Sequence, residues 1–510
     1  MTALDLAAIL PIAILTITAI ICMMMGTVRR ETAASLCSTI SLTGLAAASA
    51  AVIYQRSYSG LAFVDTLSVD PFARYFQLLF LVVAALVGLA SREYLWREGM
   101  AIGEYYALML FATAGMCLMA AANDLMVIFI GLEISSLSSY ILVGMRRNDA
   151  ASSESALKYF LLGSFATAFF LYGVALLFGV SGSTKLTAIR AFLYGGQNAI
   201  PASAALGKNP VLETVAMQSQ FGFTGSMDLL LGAAIALIFV GLAFKISAVP
   251  FQAWTPDVYQ GAPAPVAAML STAPKAAAFA AFIRIFMVSL GASAAQWSHL
   301  LWATALLTMT VGNLAALWQS NLKRLLAYSS IAHAGYMLVA FTSCSTDGIT
   351  AILFYLAGYA FMNIGAFIVV THVAGPGERL TELDDYAGLG FRSPALAALL
   401  TIFMLSLIGI PLTAGFFGKF YIFRAALDSG LLWLTIFGVL NSAIAAYYYL
   451  QILVAMYMKQ PIDSAAPVAD MPAGARTVVT VCAAATLLIG IQPSAVLRMA
   501  EYAAQWLPQL

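Results

Sequence analysis

The chain has 510 residues, 62% of them hydrophobic and 9% charged, with a formal net charge of +1. Soluble domains carry about a quarter charged residues, so this composition excludes an ordinary globular protein and makes lipid the solvent for most of the surface. A balance so close to neutral leaves no electrostatic footprint for nucleic acid.

The first apolar run, from about Leu4 to Met25, has no basic leader, is long enough to span a bilayer, and is followed by Arg29 and Arg30. It reads as a retained membrane helix and not as a cleaved signal. Spanning runs continue at 32–53, 72–90, 104–121, 124–145, 154–180, 228–250, 263–290, 297–318, 323–343, 348–373, 394–424, 430–457 and 476–496. The expected fold is an all-α polytopic membrane protein of about fourteen transmembrane helices. Arg29–Arg30, Arg92 with Arg97, Arg146–Arg147, Lys323–Arg324, Arg379 with Arg392, and Lys459 with Arg476 fall in alternate loops. Basic residues stay on the cytoplasmic side, which places both termini outside, in the periplasm of a bacterial host. The exceptions are Arg56, Arg424 and the long segment 181–227, which is expected to lie against the outer surface. The five cysteines form no CxxC pair and the three histidines are far apart. No metal or cluster site is expected on this chain.

Ionisable side chains inside spans are costly, about 2.5–3.5 kcal/mol each at a helix centre. This chain places five there, a burden of roughly 12–17 kcal/mol if simply added. Glu133, in GLEISSLSSYILVG, sits about midway along its helix among serines and Tyr140. Lys158, in ESALKYFLLGS, begins the next helix, and the short connection makes an ion pair with Glu133 plausible on geometric grounds. Lys245 stands beside Pro250, whose missing N–H breaks the helix and asks for a hydrated cavity; the competing reading is snorkelling toward the inner interface. Lys275 lies a dozen residues into its helix, too deep for easy snorkelling, whereas Arg284 near the far end reads as an interface anchor. His333, in YSSIAHAGY, is equally a buried structural histidine or a proton relay. Lys419 stands beside a second break, made by Gly409, Pro411, Gly415 and Gly418. Two broken helices, each with a lysine at the discontinuity, point to a duplicated unit and a transport path.

The pieces GLEISSLSSYILVG, ESALKYFLLGSF, FKISAVPFQAWTPDVYQGAPAPV, NLKRLLAYSSIAHAGY and GIPLTAGFFGKF together resemble the subunit N family of respiratory complex I. That complex is the proton-pumping NADH:quinone oxidoreductase, which has a chloroplast and cyanobacterial relative. The PDVYQGAP continuation favours this branch over the sister subunits L and M, and a lysine rather than a glutamate at 419 disfavours M. One departure is Ala253, where many relatives carry histidine.

The resemblance implies two inverted five-helix repeats with discontinuous helices seven and twelve. Residues 1–100 would hold helices one to three, and 101–290 the first repeat with its outer loop 181–227. Residues 291–457 would form the second, inverted repeat, and 458–510 would carry helix fourteen. It further implies that Glu133, Lys158, Lys245, Lys275 and Lys419 transfer and couple protons, with His333 a candidate relay. The chain would be a subunit of a translocase with no redox chemistry of its own. FMN, iron–sulfur clusters and quinone are expected on partner subunits. The partners would be other membrane-arm subunits in a hetero-oligomer within the bacterial inner membrane. Two other readings stand beside this one: a subunit of a multi-subunit sodium–proton antiporter or membrane-bound hydrogenase, and a structural membrane anchor whose charges only lock helices together.

Overall fold

The computed structural model describes residues 2–27, 30–100, 102–195, 224–460 and 470–507. Among them, thirteen helices are long and apolar enough to cross a membrane. A broken pair, Pro394–Ile408 and Ala414–Asp428, fills the place of the twelfth span and completes the expected fourteen. Local sequence sets the ends. Asp70 caps the third span (Pro71–Arg97), its Oδ1 accepting from the Ala73 amide at 2.6 Å with proline in the first turn. Asp124 caps the fifth span (Leu125–Val143) and Asp149 the sixth (Ala150–Ser181) in the same way. Gly182, at φ +71°, closes the sixth span in the left-handed region where a side chain would be strained.

Burial divides the spans. The eighth (Ala264–Ser289), tenth (Leu322–Thr342) and eleventh (Thr346–Val373) are enclosed over 94% of their apolar windows, whereas the sixth and thirteenth (Leu432–Met458) reach only 39%. The interior therefore runs through the helices that carry Lys275 and His333, and the outer helices leave apolar faces for lipid or for other chains. A two-stranded hairpin, Gly60–Ala62 paired antiparallel with Leu67–Val69, is the one departure from an all-helical chain among the described residues. Within 181–227, Leu186–Gly195 is a helix whose lead-in is held at the start of the fifth span by Thr184 donating to Asp124 at 2.6 Å. Residues 196–223 of that segment lie outside the described residues. An amphipathic helix, Ser494–Trp506, follows the last span and packs on the third and eleventh.

Several basic loops meet at one end of the bundle. Glu378, in the loop after the eleventh span, accepts from Tyr94 OH at 2.6 Å, from the Ala264 amide at 2.7 Å and from Lys323 Nζ at 2.6 Å. Arg146 lies 3.5 Å from the same carboxylate. Burial alone would raise this carboxyl's pKa. The Lys323 ammonium and the hydrogen bonds from Lys323, Tyr94 and Ala264 outweigh it and hold the group below the usual carboxylate range. Lys323 is accordingly a buried structural cation and not the free loop charge that the alternation of basic residues suggests. That four such segments converge agrees with the helix count, because one missed span would send half of them to the opposite end.

Candidate functional site

Both expected breaks are present. The seventh span runs from Thr224 to Ile246, then leaves helical geometry until a short helix begins at Trp254. Ser247 sits there at φ +64°, and the freed groups find partners nearby. Trp254 Nε1 donates to the Phe244 carbonyl at 3.0 Å, Thr308 Oγ1 accepts from the Val249 amide at 3.0 Å, and Thr255 bonds Ser247 at 2.7 Å. In the twelfth span the break falls at 409–413, with Gly409 at φ +97° and Leu412 at φ +71°. Gly415 is required by close approach, since a Cβ there would lie 1.8 Å from the Ser406 carbonyl oxygen. The eighth span holds a third interruption that the sequence reading missed. Its helix stops at Leu270, resumes at Ala273, and passes into a π-helical stretch at Ile283–Ser289.

Lys245, in the last turn of its half-helix, is buried and donates to Ser136 Oγ at 2.7 Å and Tyr140 OH at 3.3 Å. The rings of Tyr140, Tyr159 and Phe244 surround its ammonium at 5.3–5.7 Å. The chain does not snorkel. Glu133 is within Coulombic reach of it, half-buried, with Oε1 enclosed and free of hydrogen-bond partners among the described residues. The expected Glu133–Lys158 pair is not formed. Lys158 bonds Glu154 at 2.8 Å and Asp257 at 2.9 Å, and Asp257 in turn binds Arg324 at 2.7 Å. The reason is reach: Glu154 lies one helical turn before Lys158, and the short helix after the break presents Asp257 to the same face.

Lys275 donates to the Ser330 carbonyl at 2.9 Å and to the Ser330 hydroxyl, and is fully buried over Tyr259. His333, one turn along the tenth span, touches Tyr355 OH and Tyr449 OH, and Tyr449 also meets Ser329. It lies within Coulombic reach of both Lys275 and Lys419. Lys419 donates to the Leu407 and Ile408 carbonyls at 3.0 and 2.8 Å and to Ser442 Oγ at 2.8 Å, beneath the Tyr336 ring. Asn313 joins Tyr336, Tyr448 and the Asn441 carbonyl at 3.0–3.1 Å. Polar groups thus lead from Lys275 to Ser330 and, through its chain neighbour Ser329, to Tyr449. The Tyr449 ring packs on Tyr448, which donates to Asn313, and Asn313 donates to Tyr336, whose ring lies 5.0 Å from the Lys419 ammonium. Between Lys245 and Lys275 the connection is aromatic, through Tyr159, Trp254 and Tyr259.

Sequence reasoning missed Tyr449, Asn313, Asn441 and Asp257, which stand in ordinary apolar or loop contexts. The only sequence signal was the density of Tyr and Asn in otherwise apolar spans. Arg284 corrects a further expectation. It is buried, donates to Asp70 and the Ala120 carbonyl at 2.7 Å each, and stacks on Phe72. The π-helical stretch turns it inward. Among the described residues, no group of three or more His, Cys, Asp or Glu could hold a metal ion.

The transmembrane family described as NADH:quinone oxidoreductase/Mrp antiporter matches residues 122–445. The chain is 49% identical over 503 residues to a Solibacter usitatus protein named NADH-quinone oxidoreductase subunit N 1, covering 98% of this chain and 97% of that one. It is 47% identical to NADH-quinone oxidoreductase subunit N 2 of Koribacter versatilis, over 91% and 90% of the two chains. Among solved structures, a chain of respiratory complex I from Thermus thermophilus is 34% identical, with TM-score 0.75 and 96% and 98% coverage. A chain of an archaeal membrane-bound sulfane sulfur reductase is 25% identical, with TM-score 0.81 and 98% and 97% coverage.

Proposed function

The chain belongs to the NADH:quinone oxidoreductase/Mrp antiporter transmembrane family, and on that premise we propose that it is the N-type, proton-translocating membrane-arm subunit of a bacterial NADH–quinone oxidoreductase. The observation that carries this reading is the file of three buried lysines. Among the described residues none of Lys245, Lys275 and Lys419 has a carboxylate within 4.0 Å. A structural anchor would pair such charges, because an unpaired buried cation is costly. Groups held by neutral hydroxyls and carbonyls can instead exchange a proton without breaking an ion pair. The full-length relatives carrying subunit N names also favour this reading over a sodium–proton antiporter or hydrogenase subunit.

The division of labour follows from the contacts. Glu133, unpaired and beside Lys245, biases the protonation of that lysine through its field. Lys158 answers to Asp257 and Glu154 when Glu133 is free, and a switch of Lys158 toward Glu133 would remove that bias. Lys275, Ser330, His333 and the groups Tyr449, Tyr448, Asn313 and Tyr336 carry charge onward to Lys419. Residues 1–100, 101–290, 291–457 and 458–510 are the entrance helices, two inverted repeats and the closing segment. The alternation of basic loops supports an orientation with both termini in the periplasm of the inner membrane. Quinone reduction, with FMN and iron–sulfur clusters, belongs to partner subunits, and drives the charge changes here by coupling between sites. The test is Lys245→Ala in the assembled enzyme reconstituted in vesicles. Electron transfer should continue or fall modestly while the proton gradient per NADH oxidised collapses at least tenfold. An unchanged gradient per electron would refute the assignment.

A further inference from the structure

Arg56 is one of the few exceptions to the rule that orients the chain, and the proton path makes no use of it. It stands at the end of the second span (Arg30–Tyr54), at the opposite end from the Glu378 cluster. There it lines a cavity of about 330 Å³ together with Arg74 of the third span and Met499 and Tyr502 of the amphipathic helix Ser494–Trp506. That volume is roughly ten times the ~30 Å³ share of one liquid water, enough for a phosphodiester group. Among the described residues neither arginine has a carboxylate within 4.0 Å. Arg74 is steadied by Nη1 donating to the Gln55 and Tyr58 carbonyls at 3.0 and 3.2 Å. The nearest acid, Asp70, is already occupied by Ser68, the Ala73 amide and Arg284. Two guanidiniums therefore share one cavity without an anion from the protein.

The walls say which anion. Val52 lies one turn deeper than Arg56, and Leu78 one turn deeper than Arg74, so the cavity is charged at its rim and apolar toward the bilayer. Tyr54 and Tyr58, their hydroxyls 2.9 Å apart, stand with exposed Tyr502 at the level where aromatic side chains mark a membrane interface. Charge at the surface with hydrocarbon beneath is the profile of a phospholipid and not of a free ion. We propose that this cavity binds the phosphodiester of an anionic phospholipid. Arg56 and Arg74 clamp its oxygens, Tyr502 OH donates to it, and an acyl chain lies along the half-buried Leu78. The lipid would fasten the amphipathic helix to the second and third spans. Only the assignment to the outer leaflet rests on the orientation proposed above; the site itself does not.

The experiment uses the intact complex in proteoliposomes with a photoreactive phosphatidylglycerol, mapping the label to the peptide 494–506. Unlabelled phosphatidylglycerol should compete, and phosphatidylcholine and inorganic phosphate should not. Arg56→Gln should weaken labelling by about tenfold, Arg56→Lys should restore most of it, and Tyr502→Phe should reduce it by a few-fold. Subunit content and proton pumping, read on the same vesicles, keep this result separate from the fate of the proton-transfer assignment. Equal labelling of wild type and Arg56→Gln would overturn the proposal. So would equal competition by phosphatidylcholine or by inorganic phosphate, or a cross-link from position 499 to a neighbouring subunit with lipid labelling absent.

Discussion

At the first break, the indole of Trp254 and the hydroxyl of Thr308 satisfy the interrupted backbone, Thr255 holds the Ser247 side chain, and Lys245 rests on Ser136 and Tyr140. At the second, Lys419 is itself the cap, bonding the Leu407 and Ile408 carbonyls that the break leaves open. Both cations lie at the C-terminal end of a half-helix, where the peptide dipoles favour positive charge. They differ in what deprotonation removes. A neutral Lys245 loses one hydrogen that hydroxyls can replace by turning. A neutral Lys419 has two hydrogens for three acceptors, so one carbonyl or Ser442 loses its partner. Two breaks of common design thus have unlike mechanical consequences: the first can titrate quietly, while titration of the second is tied to the geometry of its helix.

The largest effect on stability is expected at the cluster around Glu378, where Lys323, Tyr94 and the Ala264 amide meet. Glu378→Ala leaves Lys323 buried without its carboxylate and should cost about 3–5 kcal/mol, read as loss of this subunit from the purified complex. Because the Glu378 pKa is lowered in the fold, its contribution is present above the unfolded value near ~4.3 and is lost as pH falls through the lower folded value. Subunit dissociation followed from pH 6 to pH 3 should therefore steepen below about pH 4 in wild type and flatten in Glu378→Gln.

Next comes Lys419→Ala, which orphans two carbonyls and should cost about 2–5 kcal/mol, visible as a lowered Tm as well as lost pumping. Lys419→Arg separates the two roles: it keeps donors on the carbonyls, cannot titrate near neutrality, and should hold Tm while abolishing pumping. If Lys419→Ala left Tm unchanged, the contrast between the breaks would fall.

Lys245→Ala should change stability by no more than about 1.5 kcal/mol, because relief from burying a charge offsets the lost contacts, although pumping collapses. Last, Asp257→Asn weakens two half-exposed pairs, with Lys158 and Arg324, each worth about 0.2–1 kcal/mol. Its informative readout is the rate of pumping: releasing Lys158 from Asp257 should favour its swing to Glu133 and alter turnover by a few-fold without loss of fold.

Spans, breaks and the enclosed cations Lys245, Lys275 and Lys419 were legible because each is a local violation, whereas Lys158, read as lying inside a span, is exposed. A lysine within twenty apolar residues, or a proline and several glycines beside one, is costly whatever surrounds it, so composition within a short window exposes it. The fourteen spans follow from the same arithmetic of length and hydropathy. The partner of Lys158, the inward turn of Arg284, the burial of Lys323 and the third interruption at Ser271–Thr272 were not legible. Each depends on which of several reachable groups is nearest once helices are packed, as with Asp257, 99 residues from Lys158 in the chain.

Taken alone, the order of amino acids determined that this protein lives in a bilayer, how many times it crosses, where its helices break and which side chains sit expensively inside. These are consequences of transferring residues from water to hydrocarbon, a cost paid position by position. Only the tertiary structure decided that Lys419 caps a helix while Lys245 does not, that Lys158 turns to Asp257 and not to Glu133, and that Tyr449, Tyr448, Asn313 and Tyr336 stand between Lys275 and Lys419. Hydrogen bonds act over about 3 Å, and that distance is set between helices far apart in sequence by the packing of their apolar faces.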